Sequence, residues 1–203
     1  TPLPIEETDL GTFIMSSKDM NTIEILPKLI ECGINSFKIE GRMKSAYYTA
    51  VVTNAYRMAL DAYLRNPEKY EFDARLLREL DSVSHREYCT GYYLGLPFDE
   101  AQLCSQDGYI REKAYFATAE GNDSAQYGES LYRFRQKNKV KLGDVAEVIS
   151  PSKVGQEFTV TELFDLDGNP IESAPHPSQE FLCRVPFSVK DGDIMRSGRE
   201  GGA

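Results

Sequence analysis

The sequence predicts an α+β protein: a strand-and-helix segment of about half the chain, followed by a small all-β barrel. Three observations carry that prediction. Over residues 11 to 64, short apolar runs alternate with helical periods. From about Tyr109 the helical periods vanish and short β-type runs succeed one another, from Lys113–Thr118 to Asp193–Met195. Turn signals punctuate those runs, among them Gly143-Asp144, Asp167-Gly168-Asn169-Pro170 and Asp191-Gly192. The division this implies is residues 1–108 for the first part and 109–203 for the second.

Taken in order, residues 1 to 9 are polar and Pro-rich and read as a tail or a severed linker. A chain that opens TPLPIEE without an initiator methionine reads as a piece of something longer. Gly11 to Met15 forms a short apolar run that stops at Ser16-Ser17-Lys18-Asp19. Pro27 opens a helix, where its missing N–H costs nothing, and Gly33 ends it. Phe37 and Ile39 then make a second short strand. It feeds through a tight turn at Gly41, where a Cβ would obstruct, into a helix from Ala46 to Leu64. Strand, helix, strand, helix implies parallel pairing with a right-handed crossover. Tyr48, Val51, Val52, Ala55, Met58, Ala59 and Ala62 line one face of the long helix, and Asn66-Pro67 stops it. A further helix, Asp73 to Val83, has Asp73 at its N-cap, Leu76, Leu77 and Leu80 inside and a charged, solvated outer face. In the second part, short strands at this spacing predict a closed or nearly closed barrel, with a hairpin turning at Asp167-Gly168. The closing SGREGGA reads as disordered.

The polar residues just past the two short strands are the candidates for chemistry, because side chains at strand ends project from a rigid scaffold into a crevice. Glu40 and Arg42 form the candidate catalytic pair. Ser17, Lys18, Asp19, Lys38, Lys44 and Arg86 form the candidate binding set for an anionic ligand, since lysine and arginine suit carboxylates and phosphates. A blander reading stands beside each: Glu40 and Arg42 as an exposed ion pair, Asp19 as a helix cap. The stretch Ser84 to Gly95, SHREYCTGYYLG, reads as a packed bracing loop with Arg86 available to a ligand or to Glu40. His85 and Cys89 lie close enough in sequence for a nucleophile pair, but nothing supplies the orienting third group. His176, in a proline-flanked turn, reads as structural or exposed.

Composition narrows the classes. A net charge of −9 opposes general nucleic-acid binding, so any RNA contact must come from a local basic patch or from elsewhere in a longer protein. No apolar run approaches the ~18 residues that span a bilayer, and no signal peptide is visible, so a cytoplasmic protein without membrane contact is expected. The four cysteines, Cys32, Cys89, Cys104 and Cys183, are widely spaced without a CxxC pair, which fits reduced thiols and gives no metal-site spacing. Oligomeric state leaves no sequence signal.

SSKDM at residues 16–20, SFKIEGRMKSAYY at 36–48, the following VVTNAYRMALDAY and SHREYCTGYYLG at 84–95 occur in an order that resembles the second half of peptidase family U32. This is the collagenase-like family of unknown catalytic type. The resemblance implies a (β/α) barrel, of which residues 1–108 are the C-terminal part with two helices, followed by the small β-barrel. It implies either a peptidase or an RNA-hydroxylating protein acting on uridine in transfer RNA, with prephenate as co-substrate, or on cytidine in ribosomal RNA. It implies that an iron–sulfur cluster, where the parent carries one, is held by cysteines in its upstream part and not by this fragment. The last cluster cysteine of the family follows the SSKDM-like motif, and here that position is Asn21.

Three classes are therefore open: the C-terminal part of an RNA-modifying hydroxylase, a literal peptidase, and a noncatalytic binding module. The first describes the parent, with RNA and an anionic small molecule as partners. The third describes the isolated fragment. The second lacks an HExxH motif, a glycine-serine elbow or a paired aspartate site.

Overall fold

A computed structural model describes residues 5–8, 11–14, 17–96, 109–110, 112–121 and 128–198. Met15, Ser16, Cys104 and the SGREGGA end beyond Gly198 lie outside the described residues.

The chain starts with strands β1 (Ile5–Thr8) and β2 (Gly11–Ile14), paired antiparallel with Ile5 opposite Ile14. Residues 5–8, expected as part of a tail, are thus half of a hairpin. Next come β3 (Asp19–Met20), a 3₁₀ turn at Ile23–Ile25 and α1 (Leu26–Glu31), with Pro27 in its first turn. Gly33 follows in the left-handed region at φ 88°, as a helix-ending glycine should. Residues 34–40 belong to no helix or strand, contrary to the strand expected at Phe37–Ile39. Both side chains are half-buried against the helical core, so their apolar character reflects packing on α2 and not a ladder. Parallel pairing does occur, between β3 and β4 (Tyr88–Cys89), and not between the two runs that the alternation suggested. The described residues do not show the (β/α) barrel.

Helix α2 (Ala46–Arg65) starts where Ser45 Oγ accepts the Tyr48 N–H at 3.2 Å, and it ends at Asn66 before Pro67. Its buried row runs Tyr47, Val51, Ala55, Ala59 and Tyr63, one residue every four, with Val52 beside it. Tyr48 and Met58 are half-buried and Ala62 is exposed, a rotation of the expected face towards Tyr47 and Tyr63. The small Ala55 and Ala59 let α3 (Arg75–Asp81) approach, with Leu76 and Leu80 pointing inward. Asp73 caps α3 from just outside, its carboxylate accepting the Arg75 N–H at 2.9 Å. Glu79, expected on a solvated face, is buried at 7 % exposure.

The second half is a seven-stranded antiparallel sheet. Its strands are β5 (Tyr115–Ala119), β6 (Leu131–Gln136), β8 (Val145–Ile149), β9 (Gln156–Thr159), β10 (Leu163–Phe164), β12 (Glu180–Arg184) and β13 (Ile194–Ser197). They are ordered β10-β12-β6-β5-β13-β8-β9, and a separate pair joins β7 (Val140–Lys141) to β11 (Ser173–Ala174). The edge strands β9 and β10 are consecutive in the chain, linked by residues 160–162, so the sheet curls back on itself. No ladder joins its two edges among the described residues. The expected hairpin at Asp167-Gly168 is present, with Phe164 bridging Pro170 and the Asp165 carboxylate gathering the amides of Asp167 and Asn169.

Two apolar clusters result. One fills the concave side of the sheet around Phe134, Phe181, Val160 and Met195. The other packs α1, α2 and α3 together and includes Ile149 and Ile194 from the sheet, so the helices rest directly on its outer surface. Fully burying each such aliphatic or aromatic side chain contributes about 1.5–3 kcal/mol. Among the described residues no helix is long and apolar enough to cross a membrane.

Candidate functional site

Segments 17–20 and 34–45 border a groove of about 950 Å³ beside α2. Its depth is apolar, with Leu26, Leu29, Phe37, Ile39, Val52 and Leu60. Asp19, Lys38, Glu40, Arg42 and Lys44 line it as well, together with the rings of Tyr48, Tyr56 and Tyr93. Five of the eight predicted site residues thus share one groove.

Each is held by identifiable forces. Gly41 O accepts the Lys44 N–H at 2.9 Å, closing the turn that leads into α2. A Cβ at Gly41 would come within 3.3 Å of Thr49 Oγ1, so this glycine lets the turn press on the helix. Glu40 and Arg42 do not pair through their charges. The Glu40 carboxylate accepts the Arg42 backbone N–H at 2.9 Å, while Lys38 Nζ stands 4.0 Å from it in an exposed pair of little energetic weight. The Arg42 side chain is exposed and makes no ion pair among the described residues. Lys44 is more constrained: its ammonium donates to Ser84 O at 2.8 Å, lies 3.7 Å from Asp19 and sits 4.3 Å over the Tyr109 ring.

Ser17, Lys18 and Arg86 lie outside the groove lining and form its brace. The Arg86 N–H donates to the Asp19 carboxylate at 3.0 Å, its guanidinium donates to Ser17 O at 3.2 Å, and Lys18 pairs with Glu87 at 3.0 Å. These bonds flank the parallel β3–β4 pairing and fix Asp19 at the groove edge. Arg86 does not reach Glu40; its guanidinium stacks 5.2 Å from the Tyr109 ring instead. Asp19 is no helix cap, because Asn21 takes that part by accepting the Ile23 N–H at 3.1 Å.

Sequence reasoning passed over Tyr109, Glu87 and the Ser84 carbonyl, which complete the brace. It also passed over the tyrosines of α2 as groove-lining residues. Tyr48 and Tyr56 sit beside the buried row of that helix, so their exposed edges reach the groove; a helical wheel that includes the partly buried flank would find them. Burial raises the Tyr48 pKa, and the Asp19 charge adds to the rise, so its hydroxyl stays protonated at neutral pH. Tyr88 is likewise pushed up, chiefly by burial.

His85 and Cys89 do not form a dyad. The imidazole Nδ1 is 2.6 Å from Arg86 O, and the ring stacks on Tyr88 with centroids 4.3 Å apart. The three described cysteines stand apart in the fold. Cys32 is exposed at the end of α1, Cys89 is half-buried on β4 and Cys183 is buried in the sheet. Asn21 already uses its carboxamide oxygen on the Ile23 N–H and on the Tyr56 hydroxyl at 3.1 Å. Among the described residues no three His, Cys, Asp or Glu side chains are placed to hold a metal ion. His176 lies in an exposed turn, its N–H donating to Gln179 Oε1 at 3.2 Å.

Residues 4–103 match the profile of Peptidase family U32, and residues 111–196 match that of the Peptidase family U32 C-terminal domain. Similar proteins include tRNA hydroxylation protein P1 of Bacillus subtilis, 33 % identical over 92 % of this chain and 44 % of its own length. tRNA hydroxylation protein P of Escherichia coli is 32 % identical over 91 % of this chain and 39 % of its own length. A collagenase of Porphyromonas gingivalis is 35 % identical over 51 % of this chain and 28 % of its own length. The chain therefore spans less than half the length of these relatives. A crystal structure of the C-terminal domain of a Geobacillus thermoleovorans putative U32 peptidase aligns with a TM-score of 0.38 at 22 % identity, covering 42 % of this chain and 93 % of that one.

Proposed function

Because the chain belongs to peptidase family U32, we propose that it works in an RNA-modifying protein of the tRNA-hydroxylation type, with the groove beside α2 holding an anionic co-substrate or a nucleotide of the RNA. The observation that carries this reading is the junction of Lys38 and Arg42, both exposed, with the buffered Lys44–Asp19 pair around one apolar-floored groove. The names of the relatives that cover nine-tenths of the chain agree with it.

In this reading Arg42 and Lys38 capture a carboxylate or phosphate, because their charges face water and are not neutralised by a buried partner. Lys44 and Asp19 set the groove edge and do not themselves dissociate from it. Glu40, placed by the Arg42 N–H, is the group positioned to exchange a proton with bound substrate. The apolar floor and Tyr48, Tyr56 and Tyr93 receive a ring. In this reading residues 1–108 belong to a (β/α) barrel completed by the rest of a longer protein and residues 109–203 form a second part, in the cytoplasm where tRNA is found.

The test is nucleoside mass spectrometry of tRNA from cells lacking the gene. One hydroxylated pyrimidine should disappear, return with the wild-type gene, and return at a tenth or less with Arg42→Ala or Glu40→Gln. An unchanged nucleoside profile on deletion removes the proposal. A collagenase-type activity has the half-chain similarity to the Porphyromonas protein behind it. Gelatin cleavage by the purified full-length protein, abolished by the same two substitutions, would favour that activity instead.

A further inference from the structure

The most basic stretch of this acidic chain, RFRQKNKVK at residues 133–141, was not absorbed by the groove. Its five cations divide into two kinds. Arg133 and Arg135, on β6, are locked to Glu180 at 2.6 and 2.7 Å, and Arg135 also to Glu120 at 2.6 Å. Lys137, Lys139 and Lys141 are exposed and make no ion pair among the described residues. Lys137 and Lys139 sit on the bend between β6 and β7 and Lys141 on β7 itself, and that bend is stiff. The N–H groups of Lys137 and Asn138 both donate to Phe116 O, at 2.7 and 3.1 Å, and Asn138 Nδ2 donates to Tyr115 O at 2.7 Å. Val140 is fully buried in the sheet core, which leaves the lysines on either side of it pointing outward. Two acids are adjacent: the Asp144 carboxylate is engaged by the Lys141 backbone N–H at 2.9 Å, and exposed Glu172 lies beside Ser173, the strand partner of Lys141, without an ion pair to any of the three lysines.

We propose that Lys137, Lys139 and Lys141 form a phosphate-contacting lip through which the sheet half of this chain holds RNA. The inference rests on the RNA-modifying reading above and adds a second contact surface, outside the groove. Three unpaired ammonium groups on one fixed bend suit a polyanion whose charges recur every few ångströms, and lysine serves as a point charge without demanding a set ligand shape. With a net charge of −9 the chain as a whole repels RNA, so any contact made by this chain itself needs a locally positive element of this kind. Protein interfaces are built on an aromatic and apolar centre, whereas the exposed large apolar side chains near this bend among the described residues are the aliphatic Leu142 and Val145, with no exposed aromatic ring beside them.

The experiment measures binding of unfractionated tRNA to the full-length protein across salt, for wild type and three variants. These are triple Lys→Gln at 137, 139 and 141, triple Lys→Arg at the same positions, and Lys153→Gln as a distant control. Between about 50 and about 200 mM salt the wild type should lose roughly 30-fold more affinity than the Gln variant, the difference expected from about three phosphate contacts. The Arg variant and Lys153→Gln should behave as wild type, and circular dichroism should be unchanged in all. Equal affinity and equal salt dependence for the Gln variant would overturn the proposal, as would absence of salt-dependent tRNA binding by the wild type or failure of the Arg variant. The hydroxylated-nucleoside profile of the deletion strain separates the two ideas. If deletion removes the nucleoside yet the Gln variant binds tRNA normally, the lip is wrong and the RNA-modifying reading stands.

Discussion

Glu79 on α3 and Arg196 on β13 lie 117 residues apart in sequence and meet at 2.9 Å in a site closed to water. The same guanidinium donates to Glu147 Oε2 at 2.7 Å, to Ser82 Oγ at 2.7 Å and to the Tyr47 hydroxyl at 3.3 Å. Gly155 N–H adds a further donor to Glu79 at 2.9 Å, and Lys113 pairs with Glu147. One arginine therefore joins two buried carboxylates, of which Glu147 also has Lys113, and ties the helices to the outer surface of the sheet. Burial works against its charge, and the surrounding Tyr47, Glu79 and Glu147 more than restore it, so Arg196 stays charged.

Removing that arginine leaves Glu79 without a cation and Glu147 with Lys113 alone. Arg196→Met is expected to cost about 3–5 kcal/mol, read from the urea midpoint, because breaking a buried pair is far more damaging than lacking one. The triple variant Arg196→Met, Glu79→Gln, Glu147→Gln should recover a substantial part. A loss under about 1 kcal/mol for the single variant would mean that water reaches Glu79 and Glu147.

Burial tends to raise the Glu147 pKa, but Arg196 and Lys113 outweigh it and hold the carboxyl below its ordinary value of 4.5. A group with a depressed folded pKa contributes stability above the unfolded value and loses it as pH falls through the folded one. Wild-type stability should thus decline below pH 4.5, with Glu147 adding up to about 1.4 kcal/mol per pH unit to the slope. Glu147→Gln should be less stable at neutral pH and flatter in acid. Parallel curves from urea titrations at several pH values would refute this.

Gly155 lies against the same network. A Cβ there would fall 2.5 Å from both Arg196 Nη2 and Glu147 Oε2. Gly155→Ala should destabilise by about 1–3 kcal/mol through overpacking. Combined with Arg196→Met its effect should be less than additive, since the two disturb one cluster. Full additivity in a double-mutant cycle would separate them.

Cys183 is fully buried and its thiol is pushed up to about 12 by burial, with Glu162 adding to the rise. Because the thiolate is the reactive form, iodoacetamide near pH 8 should label exposed Cys32 within minutes and Cys183 only after unfolding. Peptide mass spectrometry distinguishes the sites. Equal rates at Cys32 and Cys183 in the native protein would show that the sheet opens readily.

Local signals told most of what sequence reasoning saw. Ser45, Pro27, Gly33 and Asn66-Pro67 mark helix ends through backbone geometry that a reader of single residues can follow, and the short β-type runs sit within a few residues of the strands formed. Pairing was harder to see. Phe37 and Ile39 have the alternation of a strand, yet alternation says nothing about whether a neighbour is there to bond, and residues 5–8 gained one in β2 despite their polarity. The two-residue strands β7 and β11 are too short to leave any period. At the groove, the clustering of Asp19, Lys38, Glu40, Arg42 and Lys44 followed from their positions near two chain bends, whereas Arg86 was drawn to Tyr109 by a contact across 23 positions of sequence that no pattern encodes. Glu79 and Arg196 were the least visible. On α3 Glu79 looks like any outward charge, and only the three-dimensional arrival of β13 makes it an interior one.

The late arrival of Arg196 has a bearing on how the chain matures on the ribosome. Helix α3 emerges 117 residues before its cationic counterpart, and β8 brings Glu147 close behind a second time without it. Until β13 is synthesised, docking of the helices onto the nascent sheet would bury Glu79 without its cation, beside a Glu147 held by Lys113 alone. Burying Glu79 beneath the sheet therefore becomes favourable only once β13 supplies Arg196.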